Sequence, residues 1–325
     1  MLAPGIKRTR PLPNIVEVSN LVKQYPGSEW PAVRGVSFAV LQGEIFGFLG
    51  PSGAGKTTTL SMLSCLLKPT SGSATVAGFD VLRQPREIRR RIGLVPQDLA
   101  LHPTLSAHDN LVFYGRMYGL RGKELSQRVD SALQMAGLYD RRKDAVETYS
   151  GGMKRRVNIA AGVLHRPEIL FLDEPAVGVD PQSRSVILDT VQELKRQGTT
   201  VVYATHDREE AERLCDRVAM IDQGKIIALD TPRALRDALG GGLIVVGLPE
   251  GAPNALEREL RAAPAVGDAS RFACHIKIKA RSAQQALPEV IDVFNRLDVN
   301  IRSLEVLEPS LESAFLELTG RRLRD

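Results

Sequence analysis

Short apolar segments alternate with amphipathic stretches along the first two thirds of the chain. Residues 15–18 and 36–40 alternate between apolar and polar positions, as half-buried strands do. Residues 44–49, 92–95 and 169–172 are almost continuously apolar, which is typical of strands buried on both faces of a sheet. The pattern therefore predicts a buried sheet whose short strands lie far apart in the sequence.

Helical periodicity fills the segments between these strands. An amphipathic stretch covers 56–67, and from about 106 to 165 the period is helical, with many charged residues. The spacing of Ile187, Val191 and Leu194 marks a further helix. Because buried strands and helices alternate, the predicted fold class is α/β with a mostly parallel sheet.

The helical segment at 98–165 interrupts this alternation, and we expect it to form an inserted subdomain. A strand at 199–205 and a helix at 208–216 follow it. Two further strands then meet in a hairpin at 222–224. These elements complete a first domain, which we place at 14–240.

A second, smaller domain is predicted after the glycine triplet at 240–242. Strands are predicted at 243–248, 272–280 and 299–307, and helices at 253–262, at 283–296 and after Pro309. This order indicates a small α+β domain at 241–325.

Composition limits the class of protein. The chain has 325 residues, of which 43% are hydrophobic and 25% charged, and its net charge is +5. It has no apolar run of eighteen residues, and residues 1–13 lack the apolar core of a signal peptide, so we expect them to form a disordered tail. Neither tail of the chain has the dense basic cluster that is typical of a nucleic-acid or anionic-lipid site, and we expect no nucleic-acid partner. We expect a protein of the cytoplasm or of the cytoplasmic membrane face.

The three cysteines indicate neither disulfides nor a metal site. Cys65, Cys215 and Cys274 are far apart in the sequence, and no pair has metal-ligand or redox spacing. We predict three reduced thiols, mostly buried.

A glycine-rich segment at 50–57, "GPSGAGKT", matches the phosphate-binding loop pattern. Its glycines let successive backbone N–H groups turn toward phosphate oxygens, and the following helix adds its positive end. Lys56 can reach the β- and γ-phosphates, and the Thr57 hydroxyl can bind Mg²⁺. The candidate nucleotide-binding residues here are Gly50, Pro51, Ser52, Gly53, Ala54, Gly55, Lys56, Thr57 and Thr58.

Two carboxylates and a histidine follow later buried strands. Asp173 and Glu174 end the apolar run at 169–172, where the ligand crevice of a parallel sheet lies. Asp173 suits a Mg²⁺ shell, and Glu174 suits polarising a water for attack on the γ-phosphate. His206 follows the next strand and can bond to phosphate or water. Isolated groups of these kinds are usually structural, but the nearby phosphate loop favours the functional interpretation.

The segment "YSGGMKRR" at 149–156 starts a helix with cations, which is the wrong sign of charge for that position. Lys154, Arg155 and Arg156 each oppose the helix dipole by roughly 0.3–1 kcal/mol. Two interpretations remain open for these cations, namely contact with a bound phosphate and a solvated basic face.

These motifs together resemble the ATP-binding cassette (ABC) ATPases, from about Ile15 to Pro232. The resemblance implies a P-loop NTPase core of the RecA-like type that uses ATP and Mg²⁺. It implies that Tyr25 stacks on adenine, and that Gln97 touches Mg²⁺ and senses the transport partner. His206 would be the switch histidine of the family.

The same resemblance implies that two cassettes pack head to tail. Ser150, Gly151 and Gly152 resemble the signature motif, which closes over ATP held by the partner's phosphate loop. Asp180 resembles the aspartate that signals across the dimer. The resemblance thus implies that the segment "YSGGMKRR" binds an anion, namely the γ-phosphate of an ATP held by another chain.

Three details resemble the drug-resistance type of ABC exporter. Met153 replaces the glutamine common in the signature and is followed by basic residues, the aspartate loop reads "VGVDP", and the end of the chain contains "PSLESAFLELTG". The resemblance implies the ATPase subunit of an exporter, as a homodimer or paired with a second cassette, peripheral on the cytoplasmic membrane face beside a separate permease. The alternatives are an importer ATPase and a non-transport ATPase of DNA repair or translation. About fifty residues separate Gln97 from Ser150, too few for the long coiled coil of repair members.

Overall fold

A computed structural model describes residues 13–238, 242–249, 251–280 and 282–320. Residues 1–12 of the tail predicted at 1–13, together with Gly240 and Gly241 of the predicted boundary, lie outside these residues. The described residues divide into two compact units. The first unit contains the described residues up to Gly47, together with Gly53–Thr205 and Gln223–Lys225. The second unit contains Phe48–Ser52, His206–Asp222 and the described residues from Ile226 onward.

Strands and helices alternate through most of the described chain. The strands are β1 (Asn14–Lys23), β2 (Val33–Leu41), β3 (Ile45–Leu49), β4 (Ser71–Val76), β5 (Phe79–Asp80), β6 (Ile92–Val95), β7 (Ile169–Asp173), β8 (Thr200–Thr205), β9 (Arg217–Asp222), β10 (Lys225–Asp230), β11 (Leu243–Gly247), β12 (Val266–Phe272), β13 (His275–Ala280) and β14 (Ser303–Leu307). The helices are α1 (Lys56–Leu63), α2 (Pro85–Arg91), α3 (Ala107–Met117), α4 (Gly122–Met135), α5 (Gly151–Val163), α6 (Pro181–Arg196), α7 (Arg208–Leu214), α8 (Pro232–Asp237), α9 (Ala255–Arg261), α10 (Ala283–Arg296) and α11 (Leu311–Thr319).

The buried sheet of the first unit places the ends of its strands at one edge. β3 lies beside β8, which is followed by β7 and β6. Strands β6, β7 and β8 are parallel, in a register that pairs Ile92 with Ile169 and Ile169 with Thr200. All five residues of β3 and of β7 are buried, because both faces of these strands are covered. The predicted α/β class with a parallel sheet is therefore confirmed, and β6 and β7 end side by side.

An antiparallel sheet in the order β2-β1-β4-β5 accompanies this core in the first unit. The segment predicted to be helical holds α3, α4 and α5, whose apolar faces share one buried cluster that includes Leu111, Val129, Leu133 and Val157. Asn110 on α3 is fully buried and holds the preceding loop, because its amide bonds both the N–H and the carbonyl of His102.

The second unit contains a βαββαβ arrangement from β11 to β14, the ferredoxin-like motif. Its antiparallel sheet has the order β12-β13-β11-β14, and α9 and α10 cover one face of it. The last helix, α11, packs against α7 and α8 of the same unit. Arg208 on α7 pairs with Glu312, and the Glu212 carboxylate accepts the Leu311 N–H at 3.1 Å.

Several short elements differ from the prediction. Residues 272–280 do not form one strand, because a turn with Ala273 at φ 49° separates β12 from β13. The exposed Cys274 lies in this turn, whereas Cys65 and Cys215 are buried, so the prediction of mostly buried free thiols is confirmed. The periodicity missed β4, β5, α2 and α8, which are short and carry few buried apolar residues.

Helix α1 ends earlier than predicted, at Leu63, because Cys65 adopts a left-handed conformation with φ 60°. No helix of the described part is long and apolar enough to cross a bilayer.

The ferredoxin-like core gives a first testable prediction. Replacing Phe294 with Ala should lower the free energy of unfolding of this core by about 3–5 kcal/mol, since the ring is 1% exposed and its loss leaves a cavity. Hydrogen exchange of β11 and β13 amides measures this loss. Ile291→Ala, on the same helix but 37% exposed, should change it by less than about 1 kcal/mol. Equal effects of the two variants would contradict the burial assigned to α10.

Candidate functional site

The glycine-rich turn between β3 and α1 has the backbone geometry of an anion cradle. Gly53 has φ 77° and Gly55 has φ 107°, a region that favours glycine. A Cβ on Gly55 would come within 2.6 Å of the Ala32 carbonyl oxygen. Gly55 is also the N-cap of α1, and it has no side chain to cap the N–H groups of the first turn. Those N–H groups and the helix dipole suit a phosphate.

A buried ion pair joins this turn to the end of β7. The Lys56 ammonium lies 3.1 Å from the Glu174 carboxylate, and the two side chains are 6% and 9% exposed. Glu174 has φ 47°, and its N–H donates to the Ala204 carbonyl on β8 at 3.0 Å. Two motifs that are more than a hundred residues apart in the sequence are therefore in direct contact.

Asp173 supplies an unused buried oxygen beside this pair. Its Oδ1 has no hydrogen-bond partner among the described residues, and its carboxylate accepts a bond from the Thr57 side chain. Burial raises the pKa of the Asp173 carboxyl above its ordinary value, and the Thr57 hydrogen bond opposes that shift. A buried orphan carboxylate oxygen next to a hydroxyl is a set of ligands that fits Mg²⁺.

Tyr25 lies beside the first turn of α1. Its hydroxyl is 3.4 Å from the Thr58 hydroxyl, and the residue is 40% exposed, so part of its surface is accessible to a ligand. The Lys23 ammonium lies 5.5 Å from the ring centroid.

His206 and the residues Gly50, Pro51 and Ser52 belong to the second unit. His206 is partly exposed and directly follows β8. The next residue, Asp207, caps α7 by accepting the N–H groups of that helix's first turn.

The signature segment begins α5, and its two glycines have different surroundings. The Ser150 side chain accepts the Met153 N–H at 3.3 Å, so its own O–H proton remains available to donate. Gly151 is exposed, and a Cβ there would meet nothing within 4 Å. A Cβ on Gly152 would come within 2.3 Å of the Ser183 hydroxyl. Gly152 is therefore small because its own chain packs against it, whereas Gly151 faces open space.

Asp180 lies next to this segment and caps α6. Its carboxylate accepts the Ser183 N–H at 2.9 Å, and hydrogen bonds from Ser183 lower the pKa of the Asp180 carboxyl. The same carboxylate lies 3.3 Å from the Cβ position of Gly152. The signature and the aspartate loop of one chain are thus in contact.

Two of the cations on α5 fit neither interpretation made from the sequence. Arg155 donates to the carbonyls of Pro96 and Gln97, at 3.0 and 2.7 Å, and it is buried rather than solvated. Arg156 donates to the Ala136 carbonyl at 2.6 Å. Their guanidinium groups bond the chain's own backbone. Burial lowers the pKa of the Arg155 guanidinium, and the nearby Asp98 carboxylate opposes this.

Gln97 is exposed and directly follows β6 and Pro96. Sequence reasoning missed Asn158, which is also buried and bonds the Ala100 N–H at 3.2 Å. The available signal was the recurrence of polar residues at 155 and 158, next to the apolar stripe of the same helix.

Met153 packs on the helical cluster, and its sulfur lies 3.7 Å from the Arg141 guanidinium.

Comparisons with known proteins agree with this arrangement. The family model described as ABC transporter matches residues 33–177. The linearmycin resistance ATP-binding protein LnrL of Bacillus subtilis is 44% identical over 96% of this chain and 100% of its own length. The daunorubicin/doxorubicin resistance ATP-binding protein DrrA of Streptomyces peucetius is 39% identical over 95% of this chain and 94% of its own.

A solved structure supports the same assignment. A dimeric ATP-binding cassette in a post-hydrolysis state bound to ADP and Pi is 29% identical, with a TM-score of 0.62, over 66% of this chain and 98% of its own. Together with the phosphate cradle and the contact between Lys56 and Glu174, these matches establish that the chain belongs to the ABC transporter family and is an ATPase.

Proposed function

We propose that this chain is the ATP-hydrolysing subunit of an exporter, in which two cassettes close around two ATP molecules and drive a separate permease. The observation that carries the proposal is the buried contact between Lys56 and Glu174, at 3.1 Å, at the foot of the glycine-rich turn. It joins a phosphate-binding cation to a candidate base in one site.

ATP would lie along the turn that precedes α1. Backbone N–H groups and Lys56 would hold the phosphates, and Tyr25 would stack on adenine. Thr57, Asp173 and Gln97 would hold Mg²⁺, which would neutralise charge on the β- and γ-phosphates. The orphan Asp173 oxygen and the Thr57 bond support this ligand set.

Hydrolysis would depend on Glu174 and His206. An incoming polyphosphate competes with Glu174 for the Lys56 ammonium, so binding would free the carboxylate to polarise the attacking water. His206 would hold the water or the γ-phosphate through a hydrogen bond. The ion pair therefore links the arrival of ATP to the availability of the base.

The second half of each site would come from the partner's signature segment. Ser150 keeps a proton to donate, and the exposed Gly151 lets a phosphate approach the N-terminus of α5. Asp180 is packed against Gly152, so closure of the dimer at the signature segment would shift the aspartate loop of the same chain.

Export is favoured over import by the relatives. Two are named for resistance to linearmycin and to daunorubicin/doxorubicin, and the Nod factor export ATP-binding protein I of Burkholderia lata is 37% identical over 90% of this chain and 93% of its own. The resemblance of the signature with Met153 and of the C-terminal sequence to the drug-resistance type of exporter supports the same choice.

The surface of α3 is the proposed site for the permease. Met117 is 69% exposed and Phe113 is 41% exposed, and with Asp109, Val112 and Arg116 they line a groove of about 420 Å³. A cytoplasmic helix of a permease with an apolar face suits such a groove. The Tyr114 hydroxyl donates to the Ala100 carbonyl, so this surface adjoins the loop that follows Gln97.

The role of Glu174 can be tested by replacing it with Gln. We expect ATP hydrolysis to fall by about 10²–10⁴-fold because the amide cannot act as a base, whereas ATP binding persists. ATP should then trap a closed dimer, which size-exclusion chromatography detects. Glu124→Gln on the exposed face of α4 is the matched control. Hydrolysis at the wild-type rate in Glu174→Gln would refute the assignment of the base.

The role of Gly151 can be tested by replacing it with Asp. The first turn of a helix accommodates an acidic side chain, and open space surrounds this position, so the fold and ATP binding should be unchanged. The new carboxylate would repel the partner's γ-phosphate, so combining Gly151→Asp with Glu174→Gln should abolish the ATP-trapped dimer. A dimer that forms as readily as with Glu174→Gln alone would exclude the in-trans role.

The permease surface can be tested with Met117→Asp. A charge in the apolar groove should reduce, by at least about tenfold, the amount of permease that copurifies from detergent-solubilised membranes. The ATPase activity of the isolated chain should be unchanged. The control is Leu66→Asp, at an apolar residue of similar exposure, 63%, outside α3. Equal recovery of permease with both variants would exclude this surface.

A further inference from the structure

The loop after β6, at residues 96–100, is fastened to the signature helix by two side chains. Arg155 donates one bond to the Pro96 carbonyl and one to the Gln97 carbonyl, at 3.0 and 2.7 Å. Asn158 accepts the Ala100 N–H at 3.2 Å. Because residues three apart lie on the same face of a helix, both ends of the loop are held by one face of α5. We call this set of bonds the loop staple.

These bonds fix the orientation of the two side chains of the loop staple. Arg155 is 6% exposed and Asn158 is 3% exposed, so neither can exchange its partners freely for water. The planar guanidinium of Arg155 can serve two carbonyls at once. Asn158 directs its oxygen at the Ala100 N–H although its own Nδ2 has no partner among the described residues. In the reverse orientation of the amide, the Asn158 NH₂ group would face the Ala100 N–H, and both groups are donors.

The position of the loop staple gives it more than a packing role. Its helix begins with the segment proposed to meet the partner's ATP, and its loop carries Gln97, proposed to reach Mg²⁺ in this chain's own site. Tyr114 on α3 also bonds the loop, through the Ala100 carbonyl, so the proposed permease surface adjoins the same five residues.

We propose that Arg155 and Asn158 are positioning residues that transmit movement of α5 to Gln97. When Ser150 and Gly151 close on ATP held by the partner, the loop staple carries the loop along with the helix and sets Gln97 for hydrolysis in its own site. Neither residue touches ATP. This proposal rests on the proposed function, because it requires the signature segment to act on another chain.

The first experiment tests the loop staple without nucleotide. Hydrogen exchange is measured on the full chain carrying Arg155→Met, which keeps a long side chain but removes both bonds. The Ala100 amide should exchange at least about tenfold faster, because release of the Pro96 and Gln97 carbonyls frees one end of the loop and lets the bond from Ala100 to Asn158 open more often. The matched control is Lys154→Gln, which removes a charge from the same helical turn and should leave the exchange rate unchanged. Equal exchange in Arg155→Met and the wild type would overturn the proposal, whether or not the dimer forms.

The second experiment tests transmission. In Arg155→Met, kcat for ATP should fall about 10- to 100-fold, the loss expected when a catalytic group is misplaced by about an ångström, while KM changes less than about twofold. Arg155→Lys can donate to one of the carbonyls and should recover part of kcat. Unfolded protein would also lower the apparent kcat at unchanged KM, so kcat is expressed per ATP-binding site counted by nucleotide binding; a loss that disappears after this correction would overturn the proposal.

A third measurement separates this proposal from the proposed function. With Glu174→Gln in the background, Arg155→Met should still give the ATP-trapped dimer, because Ser150 and Gly151 are intact. Failure of Glu174→Gln alone to trap a dimer counts against the proposed function. A trapped dimer together with faster loop exchange and wild-type kcat would overturn transmission through the loop staple. If Arg155→Met does not fold, the same three measurements are made on Asn158→Ser. The serine hydroxyl is still an acceptor but is too short to reach the Ala100 N–H. The same outcomes then support or overturn the proposal.

Discussion

The buried ion pair between Lys56 and Glu174 is the contact around which the site is organised. Taking two charges out of water costs several kcal/mol per ion, so the pair is poor evidence for stability by itself. It exists because the turn before α1 and the end of β7 deliver both groups to the same place. The surrounding fold therefore bears the cost of holding the two charges together, and in the proposed function a phosphate would separate them.

Adjacent parallel strands make that delivery possible. Asp173 and Glu174 leave β7 at the edge where β6 also ends, so the loop carrying Gln97 starts beside them. The covered faces of β7 explain why Asp173 is buried and why its pKa is raised. The same burial leaves one carboxylate oxygen without a hydrogen-bond partner among the described residues, and in the proposed function that oxygen would bind Mg²⁺.

Helix α5 has different surroundings at its N-terminus and along one side. Its first residues are exposed at Gly151 and tightly packed at Gly152. Its side holds the loop after β6 through Arg155 and Asn158. The basic residues that oppose the helix dipole are thereby explained, since two of them satisfy backbone carbonyls at the side of the helix. The ferredoxin-like arrangement has its own core, and α11 ties that unit together through the pair of Arg208 and Glu312.

The sequence by itself determined the motifs, the α/β class and most of the buried strands, because glycine spacing and apolar periodicity are local properties of the chain. The phosphate loop and the acidic strand end were recognisable in this way. Only the tertiary structure decided which groups Arg155 bonds, and that Gly151 is exposed whereas Gly152 is packed against its own chain. These contacts depend on which backbone carbonyls and side chains, distant in the sequence, come within about 3 Å of them, and no pattern of neighbouring residues records such a distance.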